Sequence, residues 1–159
     1  MRGEKDEALR FLNEGNRCQQ DGDIDGAIDN YKKSIALRPT ADAHTYLGWM
    51  YSSQGRIDEA IEQCKIAIGL DPEFGNPYND IGVYLMQKGE LDGAEPWLRR
   101  AIQAKRYEPR HFPHLNLGRI YVDRRQFGRA LEEFRRAAQI APDDPVAKAA
   151  FCDLVGKLN

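Results

Sequence analysis

The sequence of 159 residues has little of several features that would indicate a particular class of protein. Its three cysteines, Cys18, Cys64 and Cys152, lie at apolar positions without metal-type spacing, so we interpret them as small buried hydrophobic residues. No apolar run approaches the roughly 18 residues of a membrane span, and the N-terminus lacks the apolar core of a signal peptide. We therefore expect a soluble, cytoplasmic chain without membrane insertion, or a periplasmic one if an export signal has been removed.

Sequence signatures of catalysis are also missing. The chain has no Gly-rich phosphate loop, no G-x-S-x-G turn and no H-E-x-x-H helix. His111 and His114 lie three residues apart, but no cysteine or carboxylate is obviously placed to complete a metal site. Glu132 and Glu133 are adjacent on a predicted helix, so their carboxylates do not face each other. We expect no enzyme activity, no cofactor and no metal.

The charges are unevenly distributed along the chain. The formal net charge is -2, yet residues 1–98 carry 10 Lys+Arg against 18 Asp+Glu, and residues 99–136 carry 11 against 4. These charges either lie on solvated helix faces, or steer an acidic partner, or stack the acidic end of one copy on the basic end of another. Nucleic acid is not an expected partner, because the basic residues are not interleaved with aromatic ones.

What the sequence does contain is a unit of 33 to 36 residues that recurs four times. Four glycines mark it, each followed twelve residues later by an alanine: Gly15, Gly48, Gly82 and Gly118, with Ala27, Ala60, Ala94 and Ala130. The spacing from glycine to glycine equals the spacing from alanine to alanine, so length varies only between units. Small residues at such positions indicate that two antiparallel helices cross closely, because a larger side chain would separate them.

Two more positions repeat within the unit. A large or apolar residue follows each alanine by four residues, and a proline follows three of them by twelve: Tyr31, Cys64, Leu98 and Phe134, with Pro39, Pro72 and Pro142. With these positions the chain resembles the tetratricopeptide repeat (TPR) family, whose 34-residue motif places Gly, Tyr, Ala, Phe, Ala and Pro at the same offsets. The resemblance covers roughly residues 8–144.

This resemblance implies an all-α fold, a right-handed α-solenoid of four helical hairpins plus a C-terminal capping helix. We expect one domain over residues 1–159, with repeats and a cap at about 8–40, 41–74, 75–108, 111–144 and 145–158. The paired helices should lie near 5–20 and 24–37, 41–54 and 58–70, 76–88 and 92–104, and 112–124 and 127–140.

Local signals refine the hairpin turns. Glycine should end the first helix of three hairpins in the left-handed conformation, at Gly22, Gly55 and Gly89. Aspartates stand where a helix N-cap is expected, at Asp25, Asp58 and Asp92. The fourth repeat has Arg125 in place of the glycine, so its turn should be the most strained or the least regular. Pro96 is expected in a first helical turn, and the longer segment 105–113 should widen one joint.

In the TPR family the first helix of each hairpin lines a concave face that touches ligands. The positions that this implies here are Leu12, Asn16, Thr45, Trp49, Asn79, Asp80, Val83, Met86, Phe112, Leu115, Asn116 and Arg119. Trp49 is either an anchor for a partner or a packing residue. Asn79 and Asn116 either grip a peptide backbone or are idle surface amides. The resemblance thus implies a scaffold that binds a peptide or helix of a partner protein; the alternative is a self-assembling homo-oligomer.

Two narrower resemblances concern the partner. The TPR clamp for the C-terminal acidic peptide of heat-shock chaperones needs five polar residues, of which only Asn16 is matched, although Arg119 remains suited to a single carboxylate or phosphate. The stretches 78–82 and 115–118, with the longer joint between them, are similar to TPR proteins of bacterial type IV pilus biogenesis. Those proteins are usually exported lipoproteins, and no lipobox is present here.

Overall fold

The structure is a computed structural model that describes residues 2–159. Over that range it contains nine α-helices, which are α1 (Arg2–Gln20), α2 (Ile24–Leu37), α3 (Ala41–Ser53), α4 (Ile57–Leu70), α5 (Asn76–Gln87), α6 (Leu91–Gln103), α7 (Phe112–Asp123), α8 (Phe127–Ile140) and α9 (Pro145–Leu158). Within the described residues, none of the helices combines the length and the apolar character needed to cross a membrane.

Consecutive helices pack as four hairpins, α1 with α2, α3 with α4, α5 with α6, and α7 with α8. The second helix of each hairpin packs on the first helix of the next, and α8 packs on α9. The predicted all-α solenoid of four hairpins and a capping helix is confirmed. Predicted helix bounds agree to within one residue, except that α1 begins earlier, at Arg2.

The repeat's glycines allow the helices of a hairpin to cross closely. A Cβ atom on Gly118 would lie 2.3 Å from a ring carbon of Phe134, and one on Gly15 would lie 2.5 Å from the ring of Tyr31. Both rings are buried, so neither can move aside without opening the core. The packing reason inferred from the sequence is therefore correct.

The turns within the hairpins have the conformation that the sequence predicts. Gly22, Gly55 and Gly89 have φ values of 79°, 75° and 78°. Arg125 occupies the same position in the fourth hairpin with φ 58°. A left-handed conformation costs a residue with a Cβ atom about 1–2 kcal/mol, so the fourth turn is the strained one.

The predicted N-caps are wrong by two positions. Helices α2, α4 and α6 begin one residue before Asp25, Asp58 and Asp92, which therefore lie inside the first turn. Their negative charge still favours the positive end of the helix dipole there. The actual cap of α2 is Asp23, whose Oδ1 accepts a hydrogen bond of 2.9 Å from the Gly26 N–H.

Two further sequence-based expectations are corrected. Pro96 is the sixth residue of α6, beyond the first turn, so its missing N–H removes one bond from the helix. Cys152 is exposed on α9, whereas Cys64 is buried and Cys18 is half-buried. A cysteine on an open helix face has no packing role, so only Cys64 fits the expectation fully.

The longer joint between the third and fourth repeats folds back on the preceding joint. The Arg106 N–H donates to the Glu73 carbonyl at 2.9 Å, and the Gly75 N–H donates to the Arg106 carbonyl at 2.8 Å. The Arg106 guanidinium pairs with Asp71 at 2.6 Å, and Tyr107 is buried beside it. The loop at this joint thus braces the preceding joint.

Gly118→Ala is expected to destabilise the fold by about 2 kcal/mol, because the new methyl group must displace the buried Phe134 ring. Gly156→Ala, in α9, is the control, because among the described residues nothing beyond its chain neighbours and its own helix backbone lies within 4 Å of its Cβ position. It should stabilise the helix by roughly 0.5–1 kcal/mol. Urea denaturation measures both changes, and a shift of the same sign in the two variants would contradict the packing role of Gly118.

Candidate protein-binding groove

The first helices of the hairpins share one side of the stack. The principal contacts between alternate helices join α3 to α5 and α5 to α7. Helices on the inner side of a curved stack approach each other most closely, so α3, α5 and α7 line the concave side, with α1 at its end. We call this side the inner face.

The twelve predicted groove residues differ in burial. Six are partly exposed, namely Leu12, Asn16, Trp49, Asp80, Val83 and Met86. Two are exposed, Phe112 and Arg119, and four are buried, Thr45, Asn79, Leu115 and Asn116. The Thr45 hydroxyl donates to the Ala41 carbonyl at 2.7 Å, and Leu115 belongs to the core. These two residues therefore offer no surface to a ligand.

A chain of hydrogen bonds crosses the inner face from α3 to α7. Trp49 Nε1 donates to Asp80 Oδ2 at 2.5 Å, and the side chain of the adjacent Asn79 favours the ionised form of the Asp80 carboxyl group. Asn116 Nδ2 donates to Asn79 Oδ1 at 3.0 Å, and Arg119 Nη1 donates to Asn116 Oδ1 at 2.9 Å. Trp49 donates from one side, and Arg119 and Asn116 donate in the direction of Asp80 from the other. The chain therefore connects the Arg119 cation to the Asp80 anion. We call these five residues the inner-face polar chain.

An aromatic row continues the polar chain toward α1. The ring centroids of Trp49 and Tyr46 lie 5.0 Å apart, and those of Tyr46 and Tyr31 lie 5.8 Å apart. The Tyr31 hydroxyl lies 2.8 Å from Asn16 Oδ1 and 2.8 Å from Gln19 Oε1. Trp49 packs against the core and is still partly exposed, so the two roles considered for it are compatible.

The environment of Asp80 disfavours the ionised form of its carboxyl group. Burial raises the pKa of Asp80 to about 7, although the hydrogen bonds from Trp49 and Asn79 oppose the shift by stabilising the ionised form. Among residues 2–159, no lysine, arginine or histidine forms an ion pair with Asp80. Its negative charge is therefore supported only by neutral donors.

The two histidines near the start of α7 are not brought together on one ligand. His111 Nε2 lies 2.9 Å from Asp144 Oδ2, and His114 Nδ1 lies 2.7 Å from Glu133 Oε2. Each ring is paired with a different carboxylate. No cluster of three or more potential metal ligands occurs in the part of the chain that the structure describes.

Sequence reasoning missed that groove residues would bond one another. The pairs Trp49–Asp80 and Asn79–Asn116 are 31 and 37 residues apart, close to one repeat. In a stack, residues separated by about one repeat lie on neighbouring hairpins. A search for complementary polar side chains at that separation would have found both pairs.

Comparison with known families decides what kind of repeat this is. Tetratricopeptide repeat models match residues 41–74, 78–106 and 111–144, which together are more than half of the chain. The chain is a tetratricopeptide repeat protein. TPR proteins mediate protein–protein interactions, and the scaffold is generally non-enzymatic.

Similar proteins are found among curated relatives and solved structures. The small glutamine-rich tetratricopeptide repeat-containing protein 2 of Mycosarcoma maydis is 30% identical over 91 residues, which are 57% of this chain and 26% of that protein. This chain therefore spans about a quarter of the length of that relative.

Two solved structures share the fold. Pseudomonas aeruginosa pilF matches with a TM-score of 0.89 and 22% identity over 98% of this chain and 71% of that one. MamA matches with a TM-score of 0.75 and 25% identity over 97% and 82%. The likeness to pilF agrees with the second resemblance noted in the sequence, and at this identity it shows the fold alone.

Asp80→Asn is expected to remove part of the pH dependence of stability. Between the unfolded pKa of about 3.9 and the folded pKa of about 7, the folded state binds more protons than the unfolded state. Wild-type stability therefore falls as pH rises through that window. The amide carries no charge, so the variant should be more stable at pH 8 by about 1–2 kcal/mol, an advantage that shrinks toward pH 5.

Urea denaturation at pH 5, 6.5 and 8 measures this difference. Asp123→Asn, at an exposed position of α7, is the matched control and should not reproduce it. A variant–wild-type difference that is constant with pH would contradict the role given to Asp80.

Proposed function

We propose that this protein is an interaction module whose inner face receives an extended or helical segment of a partner protein. The observation that supports this most directly is the state of Trp49, whose ring is partly exposed and yet held in one orientation. Its Nε1 is bonded to Asp80, and its ring lies against Tyr46. An aromatic side chain that is already ordered loses little entropy on binding, which is typical of an interface anchor.

Arg119 is the second element of the proposal. It is exposed, and within residues 2–159 its guanidinium, which has five N–H donors, bonds only to Asn116 through Nη1. An arginine held in this way is suited to a carboxylate or phosphate of the partner. Asn79 and Asn116 are each 6% exposed and bonded to each other, so we assign them the support of Arg119 and not the gripping of a peptide backbone.

Apolar side chains supply contact area around these polar groups. They are spread over three helices, at Leu12, Val83, Met86 and Phe112, of which Phe112 is 41% exposed. An interface with a partly apolar centre and a few placed polar groups is the arrangement that protein partners favour.

The alternative, end-to-end self-assembly, loses support because many of the basic residues are paired within the molecule. Arg124 pairs with Glu95 at 2.5 Å, and Arg135 pairs with Glu132 at 2.8 Å. Burial alone would raise the pKa of Glu95, but hydrogen bonds from Arg124, Tyr121 and Arg99 outweigh it and lower that pKa to about 2. Charges neutralised in this way contribute little to long-range steering. Salt-sensitive oligomers in sedimentation velocity would restore the alternative.

Trp49→Ala is expected to abolish capture of the partner from a lysate of the source organism. Trp97→Ala is the control, because Trp97 is also partly buried but lies on α6, away from the inner face. Calorimetry with the purified partner should show at least about tenfold weaker binding for Trp49→Ala than for Trp97→Ala. Equal loss in both variants would mean that stability, and not the groove, controls binding.

Arg119→Ala should weaken the same complex by about five- to tenfold and reduce its sensitivity to salt, because one charge-assisted bond is lost. Arg135→Ala on α8 is the control and should change neither property, since its guanidinium is occupied by Glu132. Unchanged affinity for Arg119→Ala would remove this residue from the proposed site.

A further inference from the structure

Within residues 2–159, no lysine, arginine or histidine pairs with Asp80, and none contributes to the shift of its pKa. Trp49 of α3 donates a hydrogen bond to Asp80, whose charge acts on the pKa values of Cys64 in α4, Tyr84 in α5 and Tyr107 in the loop between α6 and α7. Burial raises the pKa of the cysteine and of both tyrosines, so all three are neutral near pH 7. From α7, Asn116 bonds to Asn79, the residue next to Asp80, and Arg119 lies at the far end of the polar chain.

A desolvated carboxylate in a protein is normally compensated by a cation. Asp80 has neutral donors instead, and although burial raises the pKa of its carboxyl group, the residue as a whole is partly exposed on the inner face. A cation that belongs to a partner can therefore reach it. The rings of Trp49 and Tyr46 lie in the same part of the groove and provide faces over which a guanidinium or ammonium group binds favourably.

We propose that Asp80, with the Trp49 ring beside it, receives a lysine or arginine side chain of the partner segment, and that binding there weakens as the pH falls below neutrality. This inference rests on the proposed function, which states that the bound segment belongs to a partner protein. The inference adds to the proposed function the chemistry of one residue of the partner: a cation that binds opposite Asp80, the one anionic residue of the inner-face polar chain.

The pH dependence follows from the fraction of Asp80 that is ionised. With a pKa of about 7, roughly a tenth of the carboxyl groups are ionised at pH 6 and nine-tenths at pH 8. The apparent affinity scales with the competent fraction, so it should rise about tenfold between these values. Near pH 7, binding of the cation should release the proton that Asp80 carries.

The test uses n-butylguanidinium as the probe and n-butylurea, its neutral analogue, as the control. The indole N–H resonance of Trp49 in the full chain is followed by two-dimensional NMR at pH 6 and pH 8. The indole N–H of Trp97, on α6, is an internal reference. We expect a saturable shift of the Trp49 signal with the guanidinium, about tenfold weaker at pH 6, and no saturable shift with the urea.

Asp80→Asn should lose the saturable shift, and its fold is checked by circular dichroism. The inference is overturned if wild type shows no saturation at pH 8 up to about 0.1 M probe. It is also overturned if the two pH values, the two probes, or wild type and variant give equal shifts. The comparison of pH values and probes in wild type decides the matter even if the variant is unstable.

Failure of this inference is distinguishable from failure of the proposed function. A partner whose capture needs Trp49 but is unaffected by Asp80→Asn would leave the groove as the binding site and exclude a cation at Asp80. The converse result is that the probe binds at Asp80 while Trp49→Ala leaves capture of the partner unchanged. That result would support the cation site and contradict the proposed groove.

Discussion

Each hairpin of this protein depends on the absence of a side chain at the point where its two helices cross. At Gly118 the space of a Cβ atom is occupied by Phe134, and at Gly15 by Tyr31. Close crossing buries the large residue and leaves the opposite side of the first helix uncovered. Because the crossing recurs every 33 to 36 residues, the uncovered sides align into one continuous face. The groove is thus a consequence of helix packing and not a separate element.

Polar residues on that face are organised by contacts between hairpins. The chain from Trp49 through Asp80, Asn79 and Asn116 to Arg119 joins three successive repeats. Buried amides can be kept in a protein only when they are hydrogen-bonded, and here they bond to each other. The arrangement holds an aromatic ring at one end and a guanidinium at the other while leaving a desolvated carboxylate between them. Such a carboxylate lowers stability, and residues of this kind are typical of functional surfaces.

The joint between the third and fourth repeats shows how a departure from the repeat is accommodated. Its extra residues bond back to Glu73 and Gly75, so the insertion adds contacts between joints without disturbing the helices on either side. The fourth hairpin departs from the repeat in its turn, and contacts with the third hairpin accompany that departure. Its strained turn at Arg125 follows Arg124, which bonds to Asp92 and Glu95 on α6 and ties the fourth repeat to the third.

The amino-acid sequence by itself determined the number of hairpins, their bounds to within one residue for most helices, and the position of the strained turn. These properties depend on local spacing and on backbone conformation, which Gly118 and Arg125 reveal directly. The N-caps were misplaced because helix ends depend on which side chain is free to bond, and Asp23 competes with Asp25 for that role. Only the tertiary structure decided that Thr45 and Leu115 are buried, that Asn79 and Asn116 are bonded to each other, and that no cation among residues 2–159 pairs with Asp80. Those facts depend on the angle and distance between neighbouring hairpins, which one repeat's sequence does not encode.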